Sequence, residues 1–538
     1  MPCYDCSPPF TVLGKLRNLS PSLFARARCN QTPLDASQRT ELENLWLQAE
    51  REFIAYDEAI AHLEEKIIAL ENERTTLRGQ VSLVKSLMAP IRKFPPEILL
   101  HIFKAHGSVN VVESRNSLVP GFKVASVCSH WRTIAMGSTS LWSTISLTVL
   151  QNDSWQPHHL SVVEKPLELS ANAPLDITIT AVDVGGHDVP ESAPILRLLC
   201  EQADRWKSVG GHCHVAASTV QDALSSVKGH LKCLHAFTFL DTSMTSVKCI
   251  EGAPKLRTLK LVDLQLVGTN TAIPWNQIVN LAIWRCPVSQ LRQTLATMRN
   301  LQTIKIMPTD ANDIGERERF THSNITSLEF LVPDSTSEKR MVSVLDALSL
   351  PGLQSLCIRA FNYRTNQGKQ RWSSDQLPCL ISRSSAPINT FELGSTWVPT
   401  SDLVALLRSM PTLTILSITE PSNTDADSKP MINDGLLFCI HCNHNRQPLL
   451  PRLVSLTLDA KHASFSMITF VEMIHSRWKP LYLVDGDVAC IKTVRLTVYD
   501  TTVAFPGVRS LLMLRKRGLD ILIEDKDGDV FYGTDREG

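Results

Sequence analysis

One short apolar template recurs through the second half of the chain and constrains the fold more than any other feature. Its form is apolar-x-x-apolar-x-apolar, and it occurs ten times in one register between residues 234 and 496. The copies are Leu234/Phe237/Phe239, Leu256/Leu259/Leu261, Ile278/Leu281/Ile283, Leu301/Ile304/Ile306, Ile325/Leu328/Phe330, Leu353/Leu356/Ile358, Ile388/Phe391/Leu393, Leu413/Leu416/Ile418, Leu453/Leu456/Leu458 and Ile491/Val494/Leu496. A unit of this size cannot bury its own apolar face, so the copies must stack. Stacking predicts one parallel sheet with helices on its outer side.

The spacing of the copies identifies the kind of repeat. The early copies begin 22, 22, 23, 24 and 28 residues apart, and the later spacings are 35, 25, 40 and 38. The early values fall in the range of roughly 20–29 residues shown by leucine-rich repeats, and the units resemble degenerate repeats of that type. Helical patterns at 341–350, 401–410 and 470–478 precede three copies. The expected unit is helix, turn, strand; an ordinary α/β domain is the competing interpretation.

A heptad pattern fills residues 42–88. Apolar residues recur in alternating steps of three and four, and Arg74 is the only strongly polar occupant of the series. The series is Leu42, Trp46, Ala49, Phe53, Tyr56, Ile60, Leu63, Ile67, Leu70, Arg74, Leu77, Val81, Val84 and Met88. This pattern is typical of a coiled coil and predicts one over residues 34–89. Self-association through 42–88 and a helix that folds back on its own chain both remain open.

Residues 90–149 contain a compact helical pattern. Pro90 ends the heptad series, and Pro95 and Pro96 set the start of a new helix. The apolar positions of this segment are Ile98, Leu99, Ile102 and Phe103, then Val124, Val127, Cys128, Trp131, Ile134 and Ala135, and finally Leu141 and Trp142. Three short helices have little core of their own, so this unit is expected to bury its apolar face against a partner.

This segment resembles the F-box, through Phe94-Pro95-Pro96-Glu97-Ile98-Leu99 with Ile102-Phe103, then Val127-Cys128-x-x-Trp131-Arg132, and finally Leu141-Trp142. With the preceding heptad helix, residues 35–150 look like the F-box-like proteins of mushroom-forming fungi. The resemblance implies a small all-α domain that binds a Skp-family adaptor of a cullin ubiquitin ligase. The adaptor-binding residues it implies are Phe94, Pro95, Ile98, Leu99, Ile102, Phe103, Val127 and Trp131.

Phe94 stands where the family has leucine, and the polar segment between Phe103 and Val124 is expected to be a surface loop. The alternative is that these helices pack on the downstream domain.

The repeat template also predicts a second binding surface. Side chains alternate along a strand, so residues flanking the second and third apolar positions point away from the core. Repeat proteins commonly bind on this face. The expected target-binding residues are Lys260, Trp284, Met307, Leu331 and Arg359. Packing of Trp284 under a neighbouring loop is the other interpretation.

Composition and motifs argue against other classes of function. The 54 basic and 54 acidic residues balance, so no general attraction to nucleic acid or an anionic membrane is expected. No run of about 20 apolar residues and no secretory signal is found, and the 14 cysteines are scattered as in reduced intracellular proteins.

Cys439, His441, Cys442 and His444 crowd into six residues without a second pair, which favours a loop over a zinc site. We expect no metal, no cofactor and a cytoplasmic or nuclear location.

These observations lead to one expected organisation. It comprises a flexible leader (1–33), a coiled-coil helix (34–89), an F-box (90–149) and a degenerate leucine-rich-repeat-like α/β solenoid (150–538). The expected function is substrate recognition for a cullin-type ubiquitin ligase, with no bond chemistry of its own. A coiled-coil repeat scaffold with no ligase role is the alternative. A hydrolase using the histidine clusters at 158–159 and 212–214 is a remote third, since the phosphate-loop, zinc-protease and nucleophile-elbow motifs are all missing.

Overall fold

The computed structural model divides into two compact units, Met1–Leu99 and Leu100–Gly538. It describes residues 12–17, 34–107, 109–113, 119–150, 157–182, 193–213, 224–239, 248–263, 273–286, 288–308, 319–332, 342, 344–360, 376–421, 430–442, 448–461, 465–478, 488–499 and 508–525. Among these residues, no helix combines the length and the apolar character needed to cross a bilayer. The architecture is mixed helix and strand, with a long helix first and a parallel sheet after it.

The first unit is dominated by one long helix. A short helix, α1 (Val12–Arg17), precedes α2 (Ala36–Met88), which has 53 residues. The Asp35 carboxylate caps α2 by accepting from the Gln38 N–H at 2.7 Å. A single 3₁₀ turn at Pro90–Lys93 follows the helix. The predicted long helix is confirmed, while its pairing into a coiled coil stays a prediction.

The remaining helices are short and alternate with strands. They are α3 (Pro96–His106), α4 (Pro120–Ala125), α5 (Ser129–Gly137), α6 (Thr139–Trp142), α7 (Pro157–Leu169), α8 (Ala193–Cys200), α9 (Val288–Thr297), α10 (Gln376–Ser384), α11 (Thr400–Arg408), α12 (Asp434–Ile440), α13 (Met467–Trp478) and α14 (Val508–Lys516). The boundary between the two compact units falls inside α3. The helical patterns at 401–410 and 470–478 therefore correspond to α11 and α13.

Fifteen strands form one sheet in chain order, and every neighbouring pair is parallel. They are β1 (Asn110–Glu113), β2 (Thr144–Leu150), β3 (Leu175–Val182), β4 (Trp206–Cys213), β5 (Ala236–Phe239), β6 (Thr258–Asp263), β7 (Asn280–Cys286), β8 (Thr303–Pro308), β10 (Ser327–Val332), β12 (Ser355–Ala360), β13 (Thr390–Gly394), β14 (Ile415–Thr419), β15 (Ser455–Ala460), β16 (Thr493–Val498) and β17 (Asp520–Asp525). The predicted C-terminal parallel sheet is confirmed.

Strand register places the second apolar position of every template copy in one row. Each partner pair in the sheet joins one copy to the next: Phe237–Leu259, Leu259–Leu281, Leu281–Ile304, Ile304–Leu328, Leu328–Leu356, Leu356–Phe391, Phe391–Leu416, Leu416–Leu456 and Leu456–Val494. All ten side chains are at most 2% exposed. A slip of one residue in any strand would turn its apolar set to the opposite face, so this row fixes the register.

The sheet begins earlier than the sequence predicts. Strand β1 lies within residues 90–149, which the sequence predicts to be all helical, and β2 begins there. Strand β1 occupies the expected surface loop after Phe103. Asn110 is 1% exposed, and its Nδ2 donates to the Leu141 and Thr144 carbonyls at 3.2 and 3.0 Å. These bonds and the buried Val112 explain why this polar segment forms a strand that pairs with β2.

Several of the described connections depart from the helix, turn, strand unit. Short 3₁₀ helices at Lys248–Ile250 and Trp275–Gln277 precede β6 and β7. Residues 348–349 of the predicted 341–350 helix form β11 (Leu348–Ser349), which pairs in parallel with β9 (Phe320–Thr321). The stacking of strands therefore tolerates several kinds of connection.

Arg477 ties two late helices and a turn together. Its side chain is fully buried at the end of α13. Nε donates to the Ile440 carbonyl at 2.6 Å, and Nη1 donates to the Leu450 carbonyl at 3.0 Å. Nη2 donates to the Leu449 carbonyl. The guanidinium thus satisfies buried carbonyls that close α12 and precede β15.

We expect Arg477→Leu to lower the free energy of unfolding by roughly 3 kcal/mol, because buried carbonyls lose their donors. Urea denaturation of the full chain measures the loss. Arg452→Leu is the matched control, since Arg452 is exposed and its change should stay within about 0.5 kcal/mol. Equal effects from the two variants would contradict this role for Arg477.

Candidate protein-binding surfaces

Helix α3 presents two contrasting faces. Leu99 and Phe103 are 0% and 1% exposed, whereas Ile98 and Ile102 are 46% and 36% exposed. Each pair is separated by four residues, so each forms a row one turn apart along the helix. Of the two residues that precede the helix, Phe94 is 41% exposed and Pro95 is exposed. A partner can reach the exposed row.

The buried row corrects part of the expected adaptor surface. Phe103 packs against Trp131, with ring centroids 4.8 Å apart, and Trp131 is half-buried. Cys128 caps α5 by accepting from the Trp131 N–H through Sγ at 3.5 Å. Leu99 and Phe103 therefore stabilise α3 from inside and are not available for direct contact. Val127 is 61% exposed and is available.

Trp142 anchors the two helices on either side of Val127, α4 and α5, of which α5 carries Trp131. It is fully buried, and its Nε1 donates to the Ala135 carbonyl at 2.8 Å. Its ring also packs on Phe122 at a centroid distance of 5.0 Å. A Cβ added at Gly121 would lie 2.5 Å from the Trp142 ring. Gly121 is thus required for this packing, and the sequence pattern did not single it out.

We expect Gly121→Ala to destabilise residues 119–147 by about 2 kcal/mol, because the new methyl group overlaps the Trp142 ring. Hydrogen exchange of the full chain measures the local loss of protection. Gly137→Ala is the control: its Cβ would meet nothing within 4 Å, and alanine in a helix should stabilise by up to about 1 kcal/mol. Unchanged protection in Gly121→Ala would contradict the tight packing.

The polar face of the sheet carries pairs of opposite charge. Register places Lys260, Ala282, Lys305, Glu329, Cys357 and Glu392 in one row across β6 to β13. Lys305 Nζ lies 2.7 Å from the Glu329 carboxylate, and Arg359 Nη2 lies 2.5 Å from that of Glu392. These ion pairs orient long side chains between adjacent strands and leave a surface of mixed charge.

Four of the five expected target-binding residues are accessible on this face. Lys260 and Arg359 are exposed, and Trp284 and Met307 are half-buried. Leu331 is wrong as a contact residue, because it is only 6% exposed. Phe330, Leu331 and Val332 are buried in succession, so both faces of β10 are covered at its end.

Cys357 lies in the same row and is not a reactive thiol. Burial, followed by the nearby Glu392 carboxylate, raises the pKa of the Cys357 thiol to about 12. The group therefore stays protonated at neutral pH, and a nucleophilic role needs the thiolate.

The cysteine–histidine cluster near residue 440 lies against Arg477. Burial raises the pKa of the Cys442 thiol and lowers that of the His441 imidazole. Within the described residues, no three His, Cys, Asp or Glu side chains gather as a metal site would require. His444 lies outside the described residues, as do the side chains of the clusters at 158–159 and 212–214.

A groove of about 1080 Å³ runs along the amino ends of β6 to β12 and is lined mainly by polar side chains. Side-chain amides in the groove donate to backbone carbonyls of the preceding repeat. Gln277 Nε2 donates to the Ala253 carbonyl at 2.6 Å. Asn300 Nδ2 donates to the Asn276 carbonyl at 2.8 Å, and Asn324 repeats the pattern with Arg299. These hydrogen bonds link successive repeats, so the three amides stabilise the fold.

Comparison with known proteins gives no family for this chain. No family model matches it, and no curated protein matches it. The exposed row of α3 and the polar face of the sheet are the two surfaces from which a function can be proposed.

Proposed function

We propose that this chain is a substrate-recognition subunit of a cullin-type ubiquitin ligase. Residues 90–149 act as an F-box-like module that binds a Skp-family adaptor, and the stacked strands form a leucine-rich-repeat-like solenoid that captures a target protein. The chain contributes proximity between the target and a ubiquitin-charged enzyme, and it carries out no bond chemistry. A cytoplasmic or nuclear location follows from this role.

The exposed row of α3 is the observation that carries the adaptor assignment. Ile98 and Ile102 stand one turn apart and are 46% and 36% exposed, although the same helix buries Leu99 and Phe103. Exposing large aliphatic side chains in water costs free energy, and a partner that covers them recovers it. The F-box-like pattern at Phe94-Pro95-Pro96 immediately before this row supports an adaptor of the Skp family as the partner.

Replacing both exposed isoleucines with aspartate tests the adaptor surface. We expect Ile98→Asp/Ile102→Asp to reduce copurification of the adaptor at least tenfold, roughly 1.4 kcal/mol or more, because two charges enter an apolar interface. The control is Met513→Asp, another exposed apolar position, 60% exposed on α14. Circular dichroism should show equal folding of both variants.

Each outcome of that experiment is informative. Equal adaptor recovery from the double variant and the wild type would remove α3 from the interface. If the wild-type chain recovers no adaptor, the scaffold function is favoured. The open apolar face of α2 is the specific feature that supports a scaffold assembled through its long helix.

Target capture is assigned to the polar face of the sheet, centred on Trp284. Trp284 is half-buried, and tryptophan is enriched among the residues that dominate binding energy in protein interfaces. Met307 adds apolar area, while Lys260 and Arg359 supply charge at the edge of this surface.

We expect Trp284→Ala/Arg359→Ala to reduce capture of the target by roughly tenfold or more, with adaptor binding unchanged. Proximity labelling by the full chain measures capture. Arg495→Ala is the matched control, because Arg495 forms a comparable ion pair with Asp520, at 2.7 Å, near the C-terminal end of the sheet. If the double variant and the wild type enriched the same proteins, this surface would be excluded as the target-binding site. The insertions after Ile418 and Leu458 would then be the next candidates.

A further inference from the structure

The groove along the amino ends of β6 to β12 contains polar side chains that the fold does not use. Three of its amides donate to the preceding repeat. Within the described part of the chain, the side chains of Lys255, Arg257, Gln302 and Gln354 make no hydrogen bond or ion pair, and all four are exposed in the groove. Each of them can still donate to a ligand. The groove therefore has binding capacity beyond what links the repeats.

The end of the groove nearest β5 and β6 is basic. Lys255 and Arg257 lie there together with His235, and the described residues that line the groove include no aspartate or glutamate. The acidic residue nearest to them in sequence, Glu251, forms an ion pair with Lys228 Nζ at 2.5 Å. Two positive charges without a carboxylate beside them in the lining favour an anionic ligand.

One row of side chains sets the spacing of contacts along the groove. It consists of the residues just before β6, β7, β8, β10 and β12, which are Arg257, Val279, Gln302, Thr326 and Gln354. The N–H of each later member donates to the carbonyl of the member before it, at 2.8 to 2.9 Å. The long polar side chains occupy every second place, so their backbone positions lie about 10 Å apart. The short side chains of Val279 and Thr326 leave space between them.

The groove is already formed in the chain alone. The amides of Gln277, Asn300 and Asn324 link its successive repeats. A Cβ added at Gly352 would overlap the Ser323 carbonyl oxygen, so the turn before β12 packs closely on the preceding turn. Because these contacts fix the floor of the groove, a ligand need not order it on binding.

We propose that this groove binds an extended acidic segment of a partner protein. Carboxylates of that segment pair with Lys255 and Arg257, since a guanidinium can hold a carboxylate through two parallel hydrogen bonds. The amides of Gln302 and Gln354 both donate and accept, which matches the N–H and C=O groups of a peptide backbone. From Arg257 to Gln354 the groove crosses four strand spacings, about 19 Å, which an extended chain covers in about six residues.

The lining favours a peptide over other anionic ligands. Proteins that bind single-stranded nucleic acid stack the bases on aromatic side chains, and no Phe, Tyr or Trp is among the described residues that line this groove. Pockets for small molecules are mainly apolar, whereas this lining is mainly polar. A peptide uses both the charges at one end and the amides along the rest.

This site is separate from the surface assigned to target capture. Trp284 follows Val279 by five residues of an extended strand, which places it about 16 Å from the groove. A partner can therefore occupy the groove while the polar face of the sheet stays open. The proposal does not depend on adaptor binding or on the ligase function.

Selection from a random library of peptides of about twelve residues, on the immobilised full chain, tests the class of ligand. We expect the selected peptides to be enriched in aspartate and glutamate. Fluorescence anisotropy of a selected peptide then measures its affinity for the variants. Lys255→Glu/Arg257→Glu should weaken binding roughly tenfold or more, because attraction becomes repulsion.

Arg452→Glu/Lys492→Glu is the matched control for that charge reversal. These two cations are also exposed just before strands, but β15 lies seven strand spacings from β6. At physiological salt, charges so far apart are screened, so the affinity should change less than about twofold. Circular dichroism should show equal folding of both variants.

A second variant tests the rest of the groove. We expect Gln302→Ala/Gln354→Ala to weaken the same peptide roughly threefold or more while the preference for acidic residues persists. Unchanged affinity in either groove variant, or a selection without enrichment in acidic residues, would overturn the proposal. A short oligouridylate that binds the full chain more tightly than the selected peptide, and displaces it, would show a nucleic-acid site instead.

Discussion

The structure depends on one row of buried apolar side chains that runs across the parallel sheet. Phe237, Leu281, Phe391 and Val494 are members of this row, and each is at most 2% exposed. Because strand partners join each member to the next copy of the template, the row sets the register of successive strands. The opposite side chains of the same strands are thereby placed together on the polar face that we assign to target capture.

The exposed row of α3 and the exposed apolar side chains of α2 share a physical feature. In α3 and in α2, large apolar side chains remain in water although the same molecule buries others completely. In α3, Leu99 and Phe103 are buried, whereas Ile98 and Ile102 stay exposed. An exposed row of aliphatic residues on a regular helix is a surface that a second helix can cover.

Elements with a periodic sequence pattern could be predicted from the sequence, whereas features that depend on a single long-range contact could not. The ten template copies and the long helix follow from spacing alone, so the parallel sheet and α2 were predicted. Strand β1 depends on the buried Asn110 amide reaching two carbonyls, Leu331 is covered on a face that alternation leaves open, and Gly121 matters because of the Trp142 ring. Each of these depends on a contact between residues distant in sequence, which no local pattern encodes.

Hydrogen exchange of the purified full chain, alone and with a purified Skp-family adaptor, tests whether α3 binds the adaptor. We expect a stable complex in which protection increases in residues 94–103 and 127–131, while protection of the sheet strands stays as it is in the chain alone. A complex that protects the sheet and leaves α3 unchanged would contradict adaptor binding through α3. The absence of any complex would contradict the ligase function itself.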